Sequence, residues 1–127
     1  MKHWCKREYV LALLLSLICT FASYATAQSD EKQLKIGLLT DLSGVYADYF
    51  GEGSVTAAKL AIEDVGGKAA GREIKLLIAD HLGKADVGAA ITRRWIDQDG
   101  VDVILDVPNS SVALAVNEVI REKNKVL

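Results

Sequence analysis

Three times in succession the chain passes through an almost unbroken apolar stretch, a polar loop and a stripe of apolar residues at helical spacing. Leu34, Ile36, Leu38 and Leu39 open the first round and predict a strand over residues 34 to 40, which Thr40-Asp41-Leu42-Ser43-Gly44 breaks. From Glu52 to Val65 the spacing turns to three and four, with Val55, Ala58, Ala61, Ile62 and Val65 on one helical face and Gly66-Gly67 as the stop. The second round runs through Ile74, Leu76, Leu77, Ile78 and Ala79, the loop from Asp80 to Lys84, and a stripe of Val87, Ala90, Ile91 and Trp95 up to Asp99-Gly100. The third has Val101, Val103, Ile104, Leu105 and Val107 as strand, Pro108-Asn109-Ser110-Ser111 as loop and cap, and Val112, Ala115, Val116, Val119 and Ile120 as helix. Lys125 to Leu127 read as the opening of a fourth strand.

Strands that are apolar on both faces, alternating with amphipathic helices, demand a parallel sheet covered on both sides. The expected fold class is therefore α/β: an open parallel sheet with helices on both faces, a Rossmann-like three-layer arrangement. Ligands of such sheets sit beyond the carboxyl ends of the strands. Those ends are three loops, at Asp41 to Glu52, Asp80 to Lys84 and Pro108 to Ser111.

The first 27 residues stand apart. Lys2, Lys6 and Arg7 precede the apolar run VLALLLSLICTFA, and Ala25-Thr26-Ala27 supplies a small-x-small cleavage pattern. The run is shorter than the roughly 20 apolar residues a membrane span needs. Residues 1–27 are thus expected to be a signal peptide cleaved after Ala27, with residues 28–127 exported to the periplasm. Lipidation at Cys19 is disfavoured by bulky Leu17 and Ile18 before it. Cys5 and Cys19 both leave with the leader, so the mature chain has no thiolate nucleophile, disulfide or cysteine metal site. The leader holds three of the 15 basic residues and one of the 17 acidic ones, leaving 12 and 16 and a formal charge of −4. This balance attracts neither nucleic acid nor anionic lipid.

Several stretches invite a site. Gly51-Glu52-Gly53 lies between strand and helix, as a phosphate cradle would. However, the third glycine is missing, the pair stands far past the strand and Glu52 would repel phosphate; a Walker loop is absent. Ser43, Tyr46 and Tyr49 offer a hydroxyl and two rings with polar tips at the functional edge, either lining a ligand cleft or packing on the first helix. Asn109, Ser110 and Ser111 directly precede a helix. One such residue suffices to cap it, and the surplus donors with the positive end of the helix dipole suit a ligand carboxylate. Asp80 and His81 raise the question of acid–base chemistry, but no nucleophile-elbow motif accompanies them, and a metal would find only carboxylates as companions to His81. Loop polarity or a hydrogen bond across a cleft is the expected role of both. Arg93, Arg94, Arg121, Glu122 and Lys123 read as solvated helix surface, and Trp95 as core.

The order of strand, Asp-Leu-Ser-Gly, aromatic loop, Ala-rich helix, Gly-Gly and Gly-Val-Asp-Val-Ile, running from LKIGLLTDLSGVYADYFGEG to VILDVPNSSVALAV, resembles the substrate-binding proteins of ABC importers. The resemblance is to the group that includes branched-chain amino acid binding proteins, and it covers essentially all of residues 28–127. It implies a type I periplasmic binding fold, two α/β lobes closing on a small ligand, of which this chain resembles an incomplete N-terminal lobe. It also implies that a small carboxylate-bearing ligand, an amino acid or aromatic acid, is held by Asn109, Ser110 and Ser111, with Ser43, Tyr46 and Tyr49 on the first loop and Asp80 and His81 as possible polar groups of the cleft. The implied partner is an ABC permease in the inner membrane; no catalytic residue, cofactor or metal is expected. The alternative is a ligand-sensing domain of a receptor or regulator with the same fold, and an enzyme using Asp80, His81 and a serine is the further rival. Val45 stands where many relatives carry proline after Ser-Gly. An incomplete lobe is expected to leave a sheet edge and apolar faces exposed.

Overall fold

The computed structural model describes residues 33–127. The expected signal peptide and its cleavage after Ala27 lie outside the described residues. A four-stranded sheet in the order β2-β3-β1-β4 carries the fold, with β1 Leu34–Thr40, β2 Lys68–Ala69, β3 Arg72–Asp80 and β4 Val103–Leu105. The helices are α1 Gly51–Asp64, α2 Ala85–Arg94 and α3 Ser110–Lys123, and α2 runs on into a π-helical segment, Trp95–Asp99. β1 pairs in parallel with β3 from Leu34↔Ile74 to Thr40↔Asp80, and with β4 from Ile36↔Val103 to Leu38↔Leu105. Val103 also bridges in parallel to Val126, where the sequence opens a further strand. The sheet is mixed and not wholly parallel. The Gly66-Gly67 stop leads into a short antiparallel hairpin, Lys68↔Glu73 and Ala69↔Arg72, that the apolar pattern did not announce.

Three helix boundaries show local causes. The residues before α1 already form a helical turn. Phe50 N–H reaches Tyr46 O, Gly51 N–H reaches Ala47 O, each at 3.0 Å, and Ser54 N–H reaches Phe50 O at 2.7 Å. The Gly51 and Ser54 amides of α1 therefore find partners without a side-chain cap. Gly66 and Gly67 end α1 at φ 67° and 72°, where a side chain would be strained, and return their N–H groups to Glu63 O and Ile62 O. Gly100 closes the π-helical segment in the left-handed region, with its N–H on Trp95 O.

The two faces of the sheet are packed differently. Leu39, Trp95, Val101, Ile104, Val112, Val116 and Ile120 make the core between the sheet and α2 with α3. Trp95 lies there because Gly37 has no side chain: a Cβ at Gly37 would come within 2.6 Å of the indole ring and 2.9 Å of Ile104 Cδ1. Gly88 plays the same part between helices, since a Cβ there would strike Val112 Cγ1 where α2 crosses α3. On the other face α1 is the one helix among the described residues, and only Gly51 and Val55 of its 14 residues are buried. Two apolar hollows of about 190 and 270 Å³ remain there, the first between Ala58, Ala61 and Ile62 and the strand residues Ile36, Leu76 and Leu105. Ile78 and Leu105 on this side are 39% and 41% exposed. No helix among the described residues is long and apolar enough to cross a membrane.

The glycines predict opposite responses to one methyl group. Gly37→Ala should overpack the core and lower the unfolding free energy by about 1–3 kcal/mol. Gly53→Ala, with nothing within 4 Å of its Cβ, should raise it by about 0.5–1 kcal/mol. Urea denaturation of the two variants checks the signs.

Candidate functional site

Parallel pairing gathers the three predicted loops at one edge. Since Thr40 pairs with Asp80, the next residues Asp41 and His81 leave the sheet side by side, and His81 N–H bonds Thr40 O at 3.0 Å. Asp41 is fully buried and shapes the first loop. Its carboxylate accepts from Gly44 N–H at 2.7 Å and Tyr46 N–H at 3.1 Å. A Cβ at Gly44 would collide with that carboxylate, so Asp-Leu-Ser-Gly is one structural unit: an acid that folds the chain back on itself and a glycine that leaves it room. The sequence reading passed over Asp41, although an Asp three residues before a Gly at a strand end carries the signal.

Ser43 is exposed and donates its hydroxyl proton to Asp80 Oδ2 at 2.6 Å, tying the first loop to the second. Asp80 Oδ1 accepts from Leu82 N–H at 2.7 Å. Burial pushes the Asp80 carboxyl up, but the hydrogen bonds from Ser43, Leu82 and Leu42, with His81 nearby, outweigh it and hold the carboxyl below its ordinary value. Tyr46 packs edge-on against Phe50, ring centroids 6.4 Å apart, and keeps 38% of its surface in solvent, whereas Tyr49 is 81% exposed. The loop aromatics thus divide: Tyr46 is partly committed to the turn before α1, and Tyr49 is free. Gly51 and Gly53 fall inside the first turn of α1, with Gly51 against Asp41 O, so they form no phosphate cradle.

His81 departs most from its expected role as loop polarity. It is fully buried where α2 begins, its Cβ close to Gly88. Its Nδ1 accepts Gly83 N–H at 3.0 Å, so the neutral ring carries its proton on Nε2, which has no partner among the described residues. Atoms of Asp41, Asp80 and His81 come within 4.8 Å of one another. Yet this tautomer leaves no nitrogen lone pair for a cation, and both carboxylates already accept hydrogen bonds. The trio works as an internal polar hub beneath the loops.

At the third loop, Asp106 takes a left-handed conformation, φ 56°, ending β4 early at Leu105 where the apolar pattern ran on to Val107. Asn109 then caps α3. Its Oδ1 accepts from Ser111 N–H at 3.0 Å, Val112 N–H at 3.3 Å and Ser111 Oγ at 2.7 Å. The hydroxyl proton of Ser111 is thereby committed inside the cap. Among the described residues three donors find no partner: Asn109 Nδ2, Ser110 N–H and Ser110 Oγ. They stand at the positive end of a 14-residue helix. Sequence reasoning named all three residues but could not divide the cap from the surplus.

The family model for periplasmic binding proteins matches residues 33–127. The chain belongs to the periplasmic binding protein family. Solved structures of the family superpose on it. A periplasmic binding protein from Burkholderia mallei does so with a TM-score of 0.72 and 46% identity, covering 74% of this chain and 25% of that one. A branched-chain amino acid ABC transporter periplasmic ligand-binding protein from Burkholderia xenovorans LB400 gives 0.70 and 56%, covering 73% and 25%. An ABC transporter solute-binding protein from R. palustris, in complex with benzoate, gives 0.65 and 32%, covering 71% and 25%. The chain thus spans about a quarter of the length of these periplasmic binding proteins and represents part of their fold. No curated protein matches the sequence.

The depressed Asp80 carboxyl sets an acid dependence. A lowered folded-state pKa contributes stability that is fully present above the unfolded value, near 3.8, and is lost as pH falls through the folded one. The melting temperature should therefore drop as pH is taken below about 3.8. Asp80→Asn should melt lower than the parent at pH 7 and lose less on acidification. Melting curves of both proteins across pH 7 to 2 measure the two slopes.

Proposed function

We propose that the chain provides one wall of the solute-binding cleft of an ABC import system, where it helps capture a small carboxylate-bearing ligand of the amino-acid or aromatic-acid type in the periplasm. The observation that carries this reading is the set of donors at the start of α3 with no partner among the described residues, Asn109 Nδ2, Ser110 N–H and Ser110 Oγ. Amides and hydroxyls converging at a helix N-terminus bind an anion through short charge-assisted hydrogen bonds and the local dipole. Tyr49 and the open side of Tyr46 offer apolar surface for the ligand body on the same edge of the sheet. The benzoate held by the R. palustris relative is a ligand of this class.

The edge suits binding better than turnover. Ser43 donates its hydrogen bond to a carboxylate instead of an imidazole, and His81 is fully buried, so no imidazole stands ready to activate that hydroxyl. The cleft of a two-lobed binder forms only between two walls, which accounts for the described hollows lying elsewhere, beneath α1 and near the chain end. An inner-membrane ABC permease is the partner this role calls for.

Benzoate or leucine should raise the melting temperature of the chain by an amount that grows with the logarithm of its concentration above the Kd. Ser110→Ala should weaken the bound solute roughly tenfold or more, as expected for a hydrogen bond to a charged group. Unchanged affinity in that variant, with its circular dichroism intact, would place the carboxylate elsewhere.

A further inference from the structure

The loop between β3 and α2 is closed in part by an atom whose hydrogen-bond role can reverse. From Asp80 to Lys84 the chain passes through two successive left-handed residues, Leu82 at φ 56° and Gly83 at φ 66°. For leucine that conformation is costly, so the turn depends on the bonds that close it. Three do so: Leu82 N–H to Asp80 Oδ1 at 2.7 Å, Gly83 N–H to His81 Nδ1 at 3.0 Å and Lys84 N–H to His81 O at 2.9 Å. The bond to Nδ1 is conditional. Nδ1 accepts only while the imidazole is neutral, and the charged ring is a donor at both nitrogens. With Nδ1 protonated, two N–H groups would face each other across 3.0 Å. Turning the ring over gives no relief, because the second nitrogen then carries a proton as well.

A second proton on this buried ring would have acceptors close by. Asp41 on the first loop and Asp80 on β3 each place a carboxylate oxygen within 4.8 Å of a ring nitrogen, and a carboxylate can accept more than one hydrogen bond. α2 brings Lys84 and Asp86 to the same end, both exposed. α3 meets this place through Val112 and Val116 beside Gly88, and it carries no titratable residue before Glu118. After β4, Asp106 adds a further carboxylate at the edge, with Oδ2 buried and unpartnered among the described residues. We propose that protonation of His81 opens the loop between β3 and α2: the neutral ring closes the turn at Gly83, and the imidazolium releases it and turns Nδ1–H to a neighbouring carboxylate. The release extends along the edge. Leu82 N–H leaves Asp80 when the turn opens, and Lys84 loosens the entry to α2. It depends on the hydrogen bonds of the loop alone and on no particular solute.

Amide hydrogen exchange of the full chain, followed by NMR between about pH 8 and 5, where imidazoles change charge, tests this. Each rate is compared with that of an unstructured amide at the same pH. Imidazole nitrogen shifts in the same samples report the charge of the ring, with the signal of His3, the other histidine of the chain, assigned through His3→Gln. The protection of Gly83 should fall about tenfold or more as the His81 ring gains its proton, one hydrogen bond's worth, while Leu38 and Ile104 in the sheet stay protected. His81→Asn offers Gly83 N–H an amide oxygen and cannot become charged, so Gly83 should keep its protection across the range in that variant. Ring protonation with Gly83 unaffected would overturn the proposal, as would a loss of protection in His81→Asn at the same pH as in the parent. Should the variant not fold, the parent alone decides: Gly83 must lose protection in step with the ring, and a ring that stays neutral until the sheet amides are lost as well contradicts the proposal.

Discussion

β1 pairs in parallel with β3 along its whole length and with β4 along three residues, so the loops after these strands all leave the sheet at one edge. The rest of the molecule depends on that alignment. Register brings Thr40 level with Asp80, which sets Asp41 beside His81 and lets Ser43 reach the Asp80 carboxylate. A one-residue slip would turn the paired side chains to the opposite face and take the Asp80 carboxylate away from Ser43. Pairing on both sides of β1 therefore fixes the fold and the chemistry of its edge together.

Close backbone approach is the second condition. Gly37 admits Trp95 flat against the sheet, and Gly88 lets α2 meet α3 at Val112. With those contacts made, α3 is held by a buried row of Val112, Val116, Val119 and Ile120, so its N-terminus is presented from a rigid element. The opposite face contrasts with this. α1 covers the sheet thinly and leaves apolar hollows beside Leu105 and Leu76.

Much of this arrangement can be read in the residues, because a parallel sheet writes itself as uninterrupted apolar runs and its helices as spaced stripes. Leu34 to Thr40, the Gly66-Gly67 stop and the buried Trp95 follow from such local rules. What could not be read depends on contacts distant in sequence. The hairpin at Lys68–Ala69 has too few apolar residues to announce a strand, and Asp106 ends β4 through a left-handed backbone instead of through composition. His81 looked like loop polarity because its burial comes from α2 folding over it. The division of labour at Asn109-Ser110-Ser111 is likewise invisible in one dimension: whether an amide oxygen caps a helix or a hydroxyl remains free is decided by a few ångströms of geometry.

The central claim is that the edge after β4, and not the apolar space beneath α1, receives the ligand carboxylate. Two-dimensional amide NMR of the chain with benzoate compares the two places in one spectrum. The account predicts saturable shifts largest at Ser110, Ser111 and Val112, with smaller ones at Ser43 and Tyr46. Shifts centred on Ala58, Ile62 and Leu76, with the start of α3 unmoved, would contradict it.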